Sequence, residues 1–292
     1  MNTISATAPA KLNLTLEVLG QRPDGYHEIR SVFLAVSLAD ELWFAPRGDG
    51  RIVLDCNDPH LPVDEHNLVV KAALLLRTTS GLPAATGASI TVRKNIPVGA
   101  GLGGGSSDAA ASLLALNRLW DAGASPDELA RMGADVGSDV PFFILARSAL
   151  VSGRGELIAP AAFPRPYHFV LVYPGFPVST AWAYRALRLE LTKRPEYSKM
   201  LLSRCLAGAP PDEIAGLLHN DFEPTVAARH PNVARAKQDL LRAGACGALM
   251  SGSGSAVFGI FPDRVSSLGA LEAVRPSWPE SHAAESAGPP PE

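Results

Sequence analysis

Cysteine, net charge and long apolar runs are all scarce in this 292-residue chain, and each shortage removes a class of protein. The three cysteines, Cys56, Cys205 and Cys246, stand far apart with no C-x-x-C spacing and no histidine at ligand distance. That pattern argues against a zinc site and against a disulfide framework. Basic residues number 26 against 29 acidic ones, a net charge of −3, so no global field exists to hold nucleic acid or an anionic membrane. Any anionic ligand must be met by a local site. Glycine, serine and proline interrupt every candidate 18-residue apolar stretch, and MNTISATAPAKLN lacks the basic start and apolar run of a signal peptide. We expect a soluble, unprocessed protein of a reducing, cytoplasmic compartment. His66, His168, His219 and His230 show no metal or triad spacing and read as structural or solvated.

What is present is enough apolar residue, 47% of the chain, for one large or two ordinary domains with proper cores. From Lys11 to Val18 the residues alternate, with Leu12, Leu14, Leu16 and Val18 on one face and Lys11, Asn13, Thr15 and Glu17 on the other. The alternation predicts a half-buried strand. Pro23-Asp24-Gly25 supplies turn residues and Tyr26 to Val36 reads as a return strand, so the two form a hairpin. Further strands are expected at Leu42–Phe44, Arg51–Cys56 and Ile90–Lys94, and Asn67 can cap a helix running to Thr78. Ser106 to Leu119 is rich in alanine and leucine, and Ser125-Pro126-Asp127-Glu128 has the form of a capping box.

Pro160 to Pro166 reads as a domain boundary, followed by a strand over Tyr167–Tyr173. Helices are predicted near Thr180–Leu189, Asp212–His219 and Pro231–Ala243. A strand pair, Gly247–Met250 and Ala256–Phe261, is joined by Ser-Gly-Ser-Gly-Ser. The fold class is therefore α+β, with an N-terminal domain over 1–160, a C-terminal domain over 161–275 and a disordered tail over 276–292.

The densest signal is Pro97-Val98-Gly99-Ala100-Gly101-Leu102-Gly103-Gly104-Gly105-Ser106-Ser107, between a strand and an alanine-rich helix. Glycines let successive backbone N–H groups converge, and the helix that follows adds unpaired N–H groups and the positive end of its dipole. Phosphate is the natural guest. Ser106 and Ser107 carry hydroxyls able to cap the helix or to contact a phosphate or Mg²⁺. The dinucleotide fingerprint fits formally but lacks its βαβ context, and no Lys-Ser or Lys-Thr follows as a P-loop requires.

P-x-x-x-G-L-G-x-G-S-S-x-A-A resembles the phosphate loop of the GHMP kinases, which act on small-molecule alcohols. The likeness extends to Ala8-Pro9-Ala10-Lys11-Leu12-Asn13-Leu14 near the start and to Gly247 through Ala256 near the end. Lys11-Leu12-Asn13-Leu14 with Arg22-Pro23-Asp24-Gly25-Tyr26-His27, Gly137-Ser138-Asp139-Val140-Pro141-Phe142-Phe143 and Ser152-Gly153-Arg154-Gly155-Glu156 resemble the branch whose acceptor carries a cytidine diphosphate. Ala146-Arg147-Ser148 departs from the paired glycines such kinases carry.

The resemblance implies a left-handed crossover in the N-terminal domain, a ferredoxin-like C-terminal domain and an active site between them. It implies ATP as donor with Mg²⁺, Asp139 as general base, and Lys11 to hold Asp139 ionised and offset phosphoryl charge. It also implies a cytidine site formed by Tyr26, His27 and Tyr184, with Asn13 beside it, and a Ser251–Ser255 loop that closes on the phosphate site. Asn220-Asp221-Phe222-Glu223 resembles a family segment too, though it reads more simply as a helix end. Two other functions stay open on sequence: a mevalonate- or homoserine-type kinase, and a nucleotide-binding regulator without chemistry.

Overall fold

The computed structural model describes residues 3–187 and 195–287. The chain begins with a long antiparallel pair, β1 (Ile4–Gln21) and β2 (His27–Arg47), whose ladder runs from Ile4 opposite Phe44 to Gln21 opposite His27. Sequence predicts two separate strands where β2 runs unbroken. A register shift between Pro9 and Ala10 lets the strand bend while its ladder continues.

Next come β3 (Ile52–Cys56), α1 (Leu68–Thr79) and β4 (Gly87–Arg93), with β3 parallel to β4 and β4 antiparallel to β2. Asn67 caps α1 by accepting the Val69 amide. Three helices follow: α2 (Gly104–Leu119), α3 (Pro126–Val136) and α4 (Val140–Leu145). Ser125 and Glu128 form the capping box of α3 that the sequence predicts. The hairpin β5 (Ser148–Gly153) and β6 (Leu157–Pro160) then adds to the free edge of β2. Helices α1 to α4 and one sheet face enclose a core holding Phe33, Phe44, Leu76, Phe142 and Leu116.

The second half starts with β7 (His168–Val172), α5 (Thr180–Ala186), α6 (Tyr197–Leu206), α7 (Pro211–Ala215) and the two-residue β8 (His219–Asn220). After α8 (Glu223–Arg229) and α9 (Pro231–Arg242) come β9 (Gly247–Met250), β10 (Val257–Phe261), α10 (Arg264–Val274) and β11 (Ser281–Glu285). Strands β11, β7, β10 and β9 form a second, antiparallel sheet in that order. The predicted helix over Asp212–His219 is shorter, because His219 and Asn220 leave it to pair in parallel with Thr15 and Leu16. The helix expected over Thr180–Leu189 runs to Ala186 with Leu187 as its C-cap, and its last two predicted residues lie outside the described residues.

Two expectations are corrected. The predicted tail over 276–292 contains Trp278, which is buried, and β11, which pairs with β7 from Ser281 opposite Val172 to Glu285 opposite His168. Its side chains are too small to signal a strand, but its backbone satisfies the otherwise open N–H and C=O groups of the β7 edge. The half-buried β1 is buried on both faces: Lys11, Asn13, Thr15 and Glu17 are as covered as Leu12 and Leu14. Helix α6 explains part of this cover, since the Ser198 amide donates to Glu17 at 3.0 Å and its hydroxyl meets Thr15 Oγ1 at 2.8 Å. The alternation thus separates a polar buried face from an apolar one.

Candidate active site

A cleft of about 1170 Å³ opens where the two halves of the chain meet. Its floor is β1, through Lys11 and Asn13. The loop 96–105 forms one wall, the turn 25–27 with Arg154 another, and α5 with Gly252 and Ser253 closes the far side.

The glycine loop is shaped by backbone that only glycine adopts readily. Gly99, Gly101 and Gly103 all have positive φ, at 67°, 80° and 73°. At Gly101 space is also lacking, since a Cβ there would lie 2.2 Å from the Ser251 carbonyl oxygen. Gly103 is the N-cap of α2 and contributes no capping side chain, so the helix presents its first N–H groups to the cleft. Among the described residues the Ser107 hydroxyl, just inside the helix, is buried without a hydrogen-bond partner. These features, a left-handed backbone cradle and an orphan hydroxyl at a helix start, fit an anionic phosphate chain.

The Ser251–Ser255 loop joins this wall directly. The Ala256 amide donates to the Ala100 carbonyl at 3.0 Å, and Ser251 Oγ donates to the Gly101 carbonyl at 3.1 Å while accepting the Asn13 amide at 3.2 Å. Asn220 braces it from below, donating to the Met250 and Gly252 carbonyls at 2.7 and 2.8 Å. Glu223 accepts the Met250 amide and pairs with Lys237, and Asp221 accepts the Val18 amide at 2.7 Å. Asn220-Asp221-Phe222-Glu223 is therefore the helix end the sequence suggests, with Phe222 as N-cap and Glu223 opening α8, and also a bracket between the two sheets. Only the Phe222 amide to Asn220 Oδ1, at 2.9 Å, is a local bond of the kind sequence signals; the others join segments distant in the chain.

Lys11 and Asp139 meet on the cleft floor, Nζ to Oδ2 at 3.6 Å. Asp139 sits at the N-cap of α4 but makes no capping hydrogen bond, so its carboxylate is free to face the cleft. The Lys11 ammonium donates to Asn13 Oδ1 and lies 4.5 Å from the centre of the Phe33 ring. Burial pushes the Lys11 pKa below the ordinary lysine range, and the charge of Asp139 opposes that drop. Asn13 is held in turn by donating to Ser31 Oγ at 2.9 Å. The pair adjoins the phosphate wall: a Cβ at Gly103 would stand 3.1 Å from Lys11 Cγ.

Behind the glycine loop lies a cluster that the sequence did not signal. Lys94 pairs with Asp40 and with Asp108, the latter at 2.5 Å, and all three side chains are buried. Asp40 also accepts the Asn95 and Ile96 amides, tying the end of β4 to β2. Burial, with Asp40 adding like charge and Lys94 opposing it, pushes Asp108 up to about 7.

The three aromatic positions expected to hold a base are brought to one end of the cleft. His27 stacks on Tyr184 with centroids 4.7 Å apart and planes 25° from parallel, and Phe222 packs edge-on against Tyr184 at 4.8 Å. Burial, then the charge of Asp139, pushes the Tyr184 hydroxyl up to about 12. Tyr26 is 55% exposed and stacks under the Arg154 guanidinium, 4.7 Å from ring centre to Cζ. The structure thus pairs His27 with Tyr184 and leaves Tyr26 facing Arg154.

Residues 67–147 match the model of the GHMP kinases N-terminal domain, and residues 209–280 match that of the GHMP kinases C-terminal domain. The chain is 47% identical to a 4-diphosphocytidyl-2-C-methyl-D-erythritol kinase of Pelotomaculum thermopropionicum, over 89% of this chain and 90% of that one. It is 46% identical to the enzyme of the same name from Symbiobacterium thermophilum, over 91% and 94%. A crystal structure of 4-(cytidine 5'-diphospho)-2C-methyl-D-erythritol kinase superposes with a TM-score of 0.82 at 37% identity, covering 98% of this chain and all of that one. A homoserine kinase from Cytophaga hutchinsonii shares the fold, with a TM-score of 0.78 at 20% identity over 99% of this chain and 96% of that one.

Proposed function

Because the chain belongs to the 4-diphosphocytidyl-2-C-methyl-D-erythritol kinases of the GHMP kinase family, we propose that its cleft moves the γ-phosphoryl group of ATP to the 2-hydroxyl of that alcohol. The product belongs to the methylerythritol phosphate route to isoprenoid precursors. The observation that carries this reading is the contact between the Lys11–Asp139 pair and the glycine loop. It supports the reading because a carboxylate and a cation then lie near the helix start.

Phosphoryl transfer asks the protein for positioning, charge neutralisation and a group to receive the hydroxyl proton. In our reading the loop Pro97 to Ser107 holds the phosphates through its backbone N–H groups, and Asp139 takes the acceptor's proton as the new O–P bond forms and the bond to the β-phosphate breaks, with ADP leaving. Lys11 pairs with Asp139 and offsets charge on the phosphoryl oxygens. The fixed cradle at Gly101 and the Ser107 hydroxyl, which has no partner among the described residues, suit the nucleotide. Among the described residues no group of three or more acidic, histidine or cysteine side chains is arranged to hold a metal ion. We therefore assign Mg²⁺ to the nucleotide's phosphates, with Ser106 or Ser107 as its protein contact; bound there it would offset phosphate charge.

Tyr26, His27 and Tyr184 hold the cytidine in this reading, with Asn13 on the acceptor side. We keep the division of the chain near residue 160, supported by the two separate sheets, with β8 as a strand lent back to the first. No described helix is long and apolar enough to cross a membrane, and the cysteines are free thiols, which suits a cytoplasmic enzyme with a small-molecule substrate. A substrate panel with ATP and Mg²⁺ tests the reading. We expect transfer to the diphosphocytidyl alcohol and none to mevalonate or homoserine; the reverse pattern would overturn it.

A further inference from the structure

We propose that Arg154 binds the diphosphate that joins cytidine to the reacting alcohol, an inference that rests on the acceptor assignment above. The acceptor is linear in its chemistry: base, ribose, diphosphate, then the alcohol. With the base at Tyr26, His27 and Tyr184 and the hydroxyl at Asp139, the diphosphate must cross the span between them. Its charge needs a local cation, because the chain as a whole is negative.

Four lysine and arginine side chains line the cleft, Lys11, Lys94, Arg154 and Arg185. Lys11 is buried against Asp139, and Lys94 is buried between Asp40 and Asp108. Among the described residues Arg154 is the one whose neighbours tie it to both ends of the span. Its guanidinium lies over Tyr26, and the next residue packs on the catalytic loop, where a Cβ at Gly155 would stand 3.4 Å from Ser138 Cβ and 3.7 Å from Asp139 Oδ1.

The turn that presents Arg154 is fixed. Gly153 has a φ of 72° and its amide donates to Glu28 Oε1 at 3.0 Å, which anchors the β5–β6 turn to the strand just after Tyr26 and His27. Glu156 folds beneath the turn and accepts the Arg154 amide at 2.6 Å. Among the described residues its one ion pair, Nε to Glu156 Oε1, is 3.8 Å long and its N–H groups make no hydrogen bond, while the Asp24 charge also acts on it. A planar fork of unused donors stacked on an aromatic ring is a ready partner for phosphate oxygens, and the ring fixes its plane in advance.

Dissociation constants for cytidine, CMP and CDP, measured on the full chain and on Arg154→Lys and Arg154→Ala, test this. Arg154→Ala should weaken CDP by about 10- to 100-fold and cytidine by no more than about threefold, from the loss of a charge-assisted contact. Arg154→Lys should fall between, and the acceptor KM should rise while the ATP KM stays fixed. An equal loss for all three ligands would overturn the proposal, since Arg154 would then only prop Tyr26. No loss at all would overturn it as well. If the unaltered chain bound none of the three, the acceptor assignment would fail first and take the proposal with it.

Discussion

Lys11 and Asp139 form an ion pair of unequal burial: at 3.6 Å separation the lysine side chain is 5% exposed and the aspartate 29%. Removing either partner therefore has different consequences. Asp139→Asn leaves a buried ammonium without its counter-charge, while loss of Lys11 leaves a carboxylate that water still reaches.

For Asp139→Asn we expect kcat to fall by about 10²–10⁴, as for loss of a general base, with the ATP KM nearly unchanged. The melting temperature should fall too. Steady-state kinetics with a thermal scan checks both, and near-normal turnover would defeat the assignment.

Lys11→Met should abolish turnover yet leave the protein as stable or more so, because the apolar side chain fits beside Phe33 and pays no desolvation penalty. The pH trend has a definite sign. A lysine whose folded pKa lies below the ordinary 10.5 releases its proton more readily when folded. Stability then rises with pH through the depressed pKa towards 10.5. That alkaline rise should flatten in the variant; a drop in melting temperature at pH 7 would contradict the account.

Gly101→Ala should raise the ATP KM at least about tenfold. It combines a positive φ, worth about 1 kcal/mol, with a Cβ 2.2 Å from the Ser251 carbonyl oxygen, which forces the two glycine loops apart. Gly123→Ala is the control, since Gly123 has a φ of 71° but nothing within 4 Å. It should lose a little stability and no ATP affinity. Equal effects in the two variants would mean that backbone strain alone is responsible.

Tyr26→Ala and Tyr184→Ala should each raise the acceptor KM by about one to two orders of magnitude if each ring stacks on the base. Stability separates them. Tyr26 is largely exposed, so its loss should leave the melting temperature in place, whereas Tyr184 packs on His27 and Phe222 and its truncation should cost about 3 kcal/mol. If both variants weakened ATP and acceptor alike, the cytidine site would be misplaced.

Asp108 is pushed up to about 7 by burial with the charge of Asp40 nearby. A carboxyl that holds its proton more tightly when folded stabilises the protein fully below its unfolded pKa, near 3.8, and that contribution is lost as pH rises through about 7. Melting temperatures between pH 5 and 8 should show the decline, and Asp108→Asn should flatten it. An unchanged slope in the variant would place the titration elsewhere.

The glycine loop was legible in sequence because its chemistry is local: positive φ needs glycine, and a helix start needs only its own backbone. The capping box at Ser125 and the cap at Asn67 were legible for the same reason, each being a contact across two or three residues. Lys11, Asp139, Tyr26, His27 and Tyr184 could be named from motif likeness, but nothing in their spacing says that residues 128 positions apart share an ion pair.

The tertiary structure alone decided which face of β1 meets solvent between Lys11 and Val18, and the answer was neither. Alternation reports that two faces differ, not what covers them, and α6 arrives from more than 180 residues away. It alone turned SHAAE into a strand, because β11 is chosen by the open backbone of β7 and not by its own side chains. It alone assembled Asp40, Lys94 and Asp108, and set Arg154 over Tyr26. Local backbone demands are written in neighbouring residues, whereas burial and charge pairing belong to whichever distant segments the fold brings within a few ångströms.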